Sequence, residues 1–525
     1  MNHSYKVCVV AAGIGAHMGD ITDTLNKALL PLSHKAVISH ILEEFPPTVP
    51  VVVVVGYQKD TLMQYLKLAH PERTFEFVEV DKFSGPGSGP GHSLLAAKNN
   101  LQCPFLLTTI DTIVQEKPKA PNYNWVGVSP VEDTSRFCSF NIKDGAVAEI
   151  YDKVRTSNKY AFIGLAGIKD YAEFWESLEA DQTLIGGEVQ WSNGLEALVK
   201  KTLVVEPFTW HDTGTLESYQ ATCRALRSEF KNFDKKGEEI FFVGGRVVKY
   251  FQDSKIIADR VERNRILEGL VPKLVAHTPN FYAYERVEGR VLAAELTLSK
   301  FQRYLEWLSA NLWSEKSLPA AEQEKFRAAC LDLYKNNPAA RLEKFYKKTR
   351  IHDGVDIING VKTPPLAEML QKVDWDSLAA GVPSRFHGDL QFDNVVVPAS
   401  GKPEFVLLDW RHEFAGLKEH GDLYYDLGKL YYAVNMSHEA INRDLFSVQR
   451  EGERVSIDFY SKYSISACKP LFEKFILSRG YSLNKVKLIH AIIHLNMSPL
   501  HHNPFDELLY YLGKLELYEC LYQKV

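Results

Sequence analysis

Cysteine is scarce in this chain. Its 525 residues carry seven, at Cys8, Cys103, Cys138, Cys223, Cys330, Cys468 and Cys520, and no two stand as C-x-x-C. That excludes a disulfide framework and a zinc ribbon, and it points to a reducing compartment. An excess of one charge is also lacking. Lys and Arg number 61 and Asp and Glu 66, a net charge of −5. There is no polycationic footprint for nucleic acid and no strong pull toward an anionic membrane. Long hydrophobic runs are absent too. Val51 to Val55 is typical, far short of the roughly 20 residues that span a bilayer. The first residues, Met1 to Lys6, lead straight into a strand-like stretch with no signal-peptide pattern. The expectation is a cytoplasmic protein with no nucleic-acid partner and no membrane insertion.

The composition is that of a folded protein, 45% hydrophobic and 24% charged, and the length suggests two or three domains. Up to about residue 228, apolar strands alternate with helical stretches. Lys6 to Ala12, Pro50 to Gly56 and Pro104 to Ile110 read as buried strands, and Val37 to Glu44, Thr61 to Ala69 and Ser93 to Asn99 as helices. This predicts an α/β domain, Rossmann-like, with a mostly parallel sheet covered on both faces. Residues 229–239 form a short charged linker. A hairpin follows, Ile240 to Val243 and Arg246 to Phe251 around Gly244-Gly245, then a helix from Ile256 to Leu270 and a strand from Phe281 to Val287. From about Leu296 the chain reads as mostly helical, with strands near Phe386 to Trp410. His490 and His494 stand one helical turn apart, within a pattern (AIIHLNM) that reads as a packed helix rather than a metal pair.

The first domain carries an ordered set of motifs. Gly13 and Gly15 lie in Ala11-Ala12-Gly13-Ile14-Gly15-Ala16-His17-Met18, directly after the first strand. Glycines there let backbone N–H groups approach a phosphate. Lys27 follows in Asn26-Lys27-Ala28-Leu29-Leu30-Pro31, where a lysine can neutralise a triphosphate. Asp111 ends an apolar strand, and Asp212 lies in Trp210-His211-Asp212-Thr213-Gly214-Thr215. Two carboxylates brought together from distant positions suit Mg²⁺, which prefers oxygen ligands.

The order of these motifs resembles the sugar-phosphate nucleotidyltransferase family, over about residues 5 to 228. The counterparts are Gly13 to Met18, Asn26 to Pro31, Gly56-Tyr57, Gly89-Pro90-Gly91-His92-Ser93-Leu94, Ile110-Asp111, Asp152-Lys153 and Trp210 to Thr215. The resemblance implies that Gly13, Gly15 and Lys27 bind the nucleoside triphosphate and that Gly89 and Gly91 face the base. It implies Lys153 at the acceptor phosphate, with Asp152 beside it, and Asp111 and Asp212 on Mg²⁺. The arginine of the family's glycine loop is His17 here, the glycine before the metal aspartate is Ile110, and the proline after the lysine is Val154.

The second half centres on His387-Gly388-Asp389-Leu390-Gln391-Phe392-Asp393-Asn394, with Leu407-Leu408-Asp409-Trp410 downstream. An aspartate that accepts a hydroxyl proton, an asparagine five residues on, and an aspartate after an apolar strand are the parts of Mg²⁺-dependent phosphoryl transfer. With Gly421-Asp422-Leu423-Tyr424-Tyr425-Asp426-Leu427, the set resembles the aminoglycoside phosphotransferase and choline kinase family. That implies a two-lobed, protein-kinase-like α+β domain over residues 240–525, with a small lobe over about 240–290 and a large lobe over about 291–525. It implies Asp389 as catalytic base, Asn394 and Asp409 on Mg²⁺, Lys249 on ATP with Glu262, or its rival Glu268, as ion-pair partner, and Asp426 bracing the catalytic loop.

Together these resemblances imply a bifunctional enzyme. The kinase half would phosphorylate a small sugar or alcohol with ATP. The other half would join the product to a nucleotide from CTP, UTP or another NTP, giving an NDP-sugar or similar precursor for surface polysaccharide. Two alternatives stand beside it. One is a choline or amino-alcohol kinase fused to a cytidylyltransferase, for which the paired tyrosines Tyr424-Tyr425 and Tyr431-Tyr432 are the hint. The other is a kinase regulated by a non-catalytic nucleotide-binding domain. A homo-oligomer stays open.

Overall fold

The computed structural model describes residues 5–226 and 237–523. Most of the expected linker, residues 229–236, lies outside them. Contacts divide the chain into two units, residues 1–254 with 275–284, and residues 255–274 with 285–525.

The first unit is built on nine strands: β1 (Lys6–Ala11), β2 (Val51–Val55), β3 (Phe75–Glu79), β4 (Phe105–Thr109), β5 (Trp125–Pro130), β6 (Cys138–Lys143), β7 (Ala146–Asp152), β8 (Tyr160–Ile168) and β9 (Val204–Pro207). Their order across the sheet is β3-β2-β1-β4-β8-β5-β9-β7-β6. The alternation of side chains along a strand explains why β2, and β1 beyond Lys6, are apolar throughout. Val7, Val9, Val51 and Val53 pack on one face, and Cys8, Val10, Val52 and Val54 on the other.

The expectation of a mostly parallel sheet needs correction. The four strands β3-β2-β1-β4 are parallel, but β8 runs antiparallel to both β4 and β5, and β7 runs antiparallel to β6 and β9. The sheet is mixed. The signal for this was local: Asp144-Gly145, both at positive φ (52° and 78°), make the two-residue turn that joins β6 to β7 as a hairpin.

A second sheet of this unit comprises β10 (Glu238–Val243), β11 (Arg246–Phe251), β12 (Leu274–His277) and β13 (Phe281–Glu285), in the order β10-β11-β13-β12. Gly244 and Gly245 supply the positive φ of its first turn. Phe241, Val248, Tyr250 and Phe281 join the same core as the valines of β1 and β2. The Tyr65 ring, on helix α1 (Lys59–Ala69), meets Phe241 at 5.0 Å. Thus the sheet expected as a kinase small lobe packs with the first unit.

In the second unit, helix α2 (Ser254–Ile266) is followed by a three-stranded sheet of Gly289–Val291, Val395–Pro398 and Val406–Leu407. Helices α3 (Leu423–Ala433), α4 (Leu483–Met497) and α5 (Phe505–Tyr522) are largely buried. A four-stranded sheet joins Asp356–Ile358 and Val361–Thr363 to Phe446–Glu451 and Arg454–Phe459. Lys514 of α5 has no exposed surface and reaches Asp356 at 2.6 Å, tying α5 to this sheet.

Candidate functional site

In the first unit, the loop after β1 takes the positive φ its glycine allows: Gly15 has φ 69°. Gly13 is exposed, and so is His17. Asn26 fixes the next segment. Its side-chain amide donates to the Tyr57 carbonyl at 2.6 Å, and its oxygen accepts from the Ala28 N–H at 2.8 Å. This presents Lys27, 6% exposed, to the strand ends. Lys27 Nζ lies 2.6 Å from Asp111 and donates to the Gly214 carbonyl at 3.0 Å.

Asp111 and Asp212 converge because Thr112–Val114 pairs antiparallel with Trp210–Asp212, and because Thr213 N–H donates to the Asp111 carbonyl at 3.1 Å. Asp212 accepts from Gly214 N–H at 2.7 Å. Burial pushes its carboxyl up, and Asp111 adds to that. Two carboxylates that repel each other, with a lysine against one of them, are a donor set that fits Mg²⁺.

Gly89, Gly91 and Lys153 meet around one further segment. A side chain on Gly91 would lie 2.7 Å from the Gln190 carbonyl, and one on Gly89 2.7 Å from Glu188 Cβ and 2.8 Å from the Val189 carbonyl. Gly89 also has φ 117°, open to glycine alone. Lys153 lies 3.4 Å from Glu188. Asp152 accepts from the Ser192 hydroxyl at 2.5 Å, and burial pushes its carboxyl up. Glu188 and Ser192 escaped the sequence reading, since neither stands in a motif.

In the second unit, Asn394 donates through Nδ2 to the Asp389 carbonyl and to its Oδ2, both at 3.1 Å. Lys429 of α3 lies 3.2 Å from the other oxygen, Oδ1. Burial would raise the Asp389 carboxyl, but Lys429, aided by His387, holds it below its usual range. It is therefore ionised and able to accept a proton. Asp409 sits at φ 56°, a left-handed conformation that is uncommon for aspartate. It pairs with Arg260 at 2.8 Å. Asn394 and Asp409 are oxygen donors of a kind that also fits Mg²⁺. Asp426 has no exposed surface and accepts from the backbone N–H groups of His387 (2.9 Å) and Gly388 (2.7 Å) and from Trp313 Nε1 (3.2 Å). It thus holds the start of the Asp389 loop.

Lys249 lies on β11 in the first unit, and Glu262 on α2 in the second. Glu262 pairs with Lys418 at 2.6 Å, and Lys418 also reaches Asp259 at 2.7 Å. His490 and His494 gain a partner that the sequence reading lacked. Glu516 of α5 lies 3.3 Å from the first and 2.8 Å from the second, and the three could together hold a metal ion. Arg260, Lys429 and Glu516 were invisible in sequence, because each acts through a partner between 22 and 149 residues away.

Residues 7–117 match the MobA-like NTP transferase domain family. A bifunctional protein GlmU from Methanococcus maripaludis is 27% identical over 197 residues, covering 37% of this chain and 46% of that protein. The chain thus spans about half the length of this curated relative. Among solved structures, a UDP-glucose pyrophosphorylase complexed with UDP-glucose aligns over 42% of this chain and 98% of its own, at 19% identity and a TM-score of 0.38. The CTP:phosphocholine cytidylyltransferase of Streptococcus pneumoniae aligns over 43% and 100%, at 18% identity and a TM-score of 0.36. Among the described residues, no helix is long and apolar enough to cross a membrane.

Proposed function

We propose that this chain is a bifunctional transferase whose first unit moves a nucleotidyl group from a nucleoside triphosphate to a phosphorylated sugar or similar small molecule. The observation that carries this is the meeting of Lys27, Asp111 and Asp212 in a unit whose residues 7–117 match an NTP transferase family. An oxygen of the acceptor phosphate attacks the α-phosphorus, the bond to the bridging oxygen breaks, and pyrophosphate leaves. Lys27 neutralises the triphosphate, and Lys153 orients the acceptor phosphate. Mg²⁺ held by Asp111 and Asp212 would add neutralisation of charge on the phosphates.

The second unit, in this reading, is an ATP-dependent small-molecule kinase that makes the phosphorylated acceptor. Asp389 accepts the proton of the attacking hydroxyl, and Asn394 holds the Asp389 carboxylate in place. Asp409 and Asn394 would hold Mg²⁺, which would neutralise charge on the ATP phosphates. The support is the ionised Asp389 set between Asn394 and Lys429, close to Asp409.

The test is pyrophosphate release by the whole chain. CTP, UTP, GTP, dTTP and ATP are crossed with sugar 1-phosphates, phosphocholine and phosphoethanolamine, with Asp111→Ala as control. Release with one pair, abolished in the control, supports the reading and names the product. Nucleotide binding without release from any pair would favour a regulatory domain instead.

A further inference from the structure

Two arginines, one packed on the Asp389 loop and one beside it, have no carboxylate of their own at ion-pair distance among the described residues. Arg411 is anchored against the Asp389 loop: its N–H donates to the His387 carbonyl at 2.9 Å, and a side chain on Gly388 would strike its Cβ at 2.6 Å. Its guanidinium donates to the Glu413 carbonyl and to the Tyr425 hydroxyl, both at 2.8 Å. Tyr425 lies one helical turn before Lys429 on α3. Lys429 reaches Asp389 at 3.2 Å and Met497 Sδ at 3.9 Å. Arg341 comes to the same place from the helix Asn337–Thr349 and donates to the Asn496 carbonyl at 3.1 Å.

The nearby carboxylates are already paired. Asp389 faces Lys429, Asp409 faces Arg260 at 2.8 Å, and Glu413 lies 3.3 Å from Lys255. Among the described residues, Arg341 and Arg411 form no ion pair, and both are half-buried. Burial lowers the Arg341 pKa, and the Arg411 charge lowers it further, so the two guanidiniums repel. Each does bind a carbonyl, but a neutral donor could do that. Two unneutralised, partly desolvated cations, one of them packed on the loop that carries Asp389, are a subsite for an anion.

We propose that the acceptor of the second unit is an alcohol bearing a carboxylate or phosphate, held by Arg341 and Arg411 while Asp389 faces its hydroxyl. This rests on the kinase reading of that unit. It also argues against choline, because a quaternary ammonium would be repelled from this corner.

The test uses the whole chain and four small alcohols on related skeletons: D-glycerate, glycerol 3-phosphate, glycerol and choline. Mg-ATP binding is measured first, by calorimetry. Acceptor-dependent ADP formation follows, with Asp389→Asn as control. The subsite predicts that D-glycerate or glycerol 3-phosphate supports ADP formation or binds, and that Arg341→Gln and Arg411→Gln each weaken it by about tenfold or more. Those variants keep a donor for the carbonyl and lose only the charge, and thermal unfolding confirms that they fold. Preference between the two anions distinguishes carboxylate from phosphate. Glycerol or choline used as well as either anion, or anion binding unchanged in both variants, overturns the subsite and leaves the kinase reading standing. Absence of Mg-ATP binding overturns the kinase reading itself. The two anions are then titrated without nucleotide, and failure of both to bind overturns the subsite as well.

Discussion

Asp426 offers the sharpest test of how the second site is held together. Its carboxylate accepts three hydrogen bonds, from the His387 and Gly388 N–H groups and from Trp313 Nε1, in a place with no exposed surface. In Asp426→Ala all three donors lose their partner. A buried donor left unpaired costs roughly 1–3 kcal/mol, so the gross loss is roughly 3–9 kcal/mol. Part returns, because the charge itself is disfavoured there: burial pushes the carboxyl up to about 6. Against an unfolded value of about 4, that rise is worth roughly 3 kcal/mol at pH 7. The net expectation is a destabilisation of roughly 0–6 kcal/mol, centred near 3, in the second unit alone. The same shift fixes a pH dependence. The folded chain holds this proton longer than the unfolded chain, so the contribution to stability falls between about pH 4 and 6 and is flat above. Asp426→Asn removes that slope, and it sets an amide N–H against one of the backbone donors. The assay is thermal unfolding across pH, read with ADP formation and pyrophosphate release on the same samples. ADP formation should collapse while pyrophosphate release persists. An alanine variant that unfolds like the parent and retains ADP formation would refute the reasoning.

Three further perturbations separate the other features. Lys27→Met should cut pyrophosphate release at least about a hundredfold by removing the charge that faces the triphosphate. Release within a few-fold of the parent would exclude Lys27 from the site. Gly91→Ala forces the Gln190 carbonyl away from 2.7 Å and should cost about 1–3 kcal/mol while raising KM for the nucleotide; an unchanged unfolding midpoint would contradict that contact. Glu516→Gln should destabilise by about 1–3 kcal/mol, because His490 and His494 lose the carboxylate that spans them. Burial would raise the Glu516 carboxyl, but the two imidazoles hold it well below its ordinary value. Its stabilisation is therefore complete above the unfolded value of about 4.3 and lost as pH falls below it, and the variant should lack that loss. Elemental analysis of the parent protein decides whether this trio carries a metal.

Local signals reached far in the first unit. Continuous valine strands and a glycine turn act over a few residues, and each left its mark in sequence. The strand Val51–Val55 was expected within one residue at each end. What could not be read was anything set by partners distant in the chain. The antiparallel course of β8 depends on its neighbours β4 and β5, not on its own residues. The sheet of Asp356–Ile358 and Phe446–Glu451 escaped because some of its strands are only three residues long and lie about 90 residues from the others. Helix phase likewise cannot foresee Lys418 reaching Glu262 from 156 residues downstream.

The two candidate sites share one electrostatic device, and it bears on how each could accept nucleotide. Three of the four carboxylates expected near metal or substrate hydroxyl have a cation against them: Lys27 on Asp111, Arg260 on Asp409 and Lys429 on Asp389. Such pairs keep clustered carboxylates tolerable inside a partly desolvated cleft. They would also oppose a metal ion, unless each cation has another anion to turn to. The phosphates of a nucleoside triphosphate supply that anion, so metal and nucleotide should enter together. Asp212 fits this reading. It has no lysine of its own at ion-pair distance among the described residues, and burial together with Asp111 pushes its carboxyl up. A divalent cation arriving with its phosphates would reverse that shift. Metal alone should therefore bind weakly to the whole chain, and metal binding should tighten at least about tenfold when nucleoside triphosphate is present. Equal metal affinity with and without nucleotide, measured by titration calorimetry, would show that the ion pairs do not have to exchange partners.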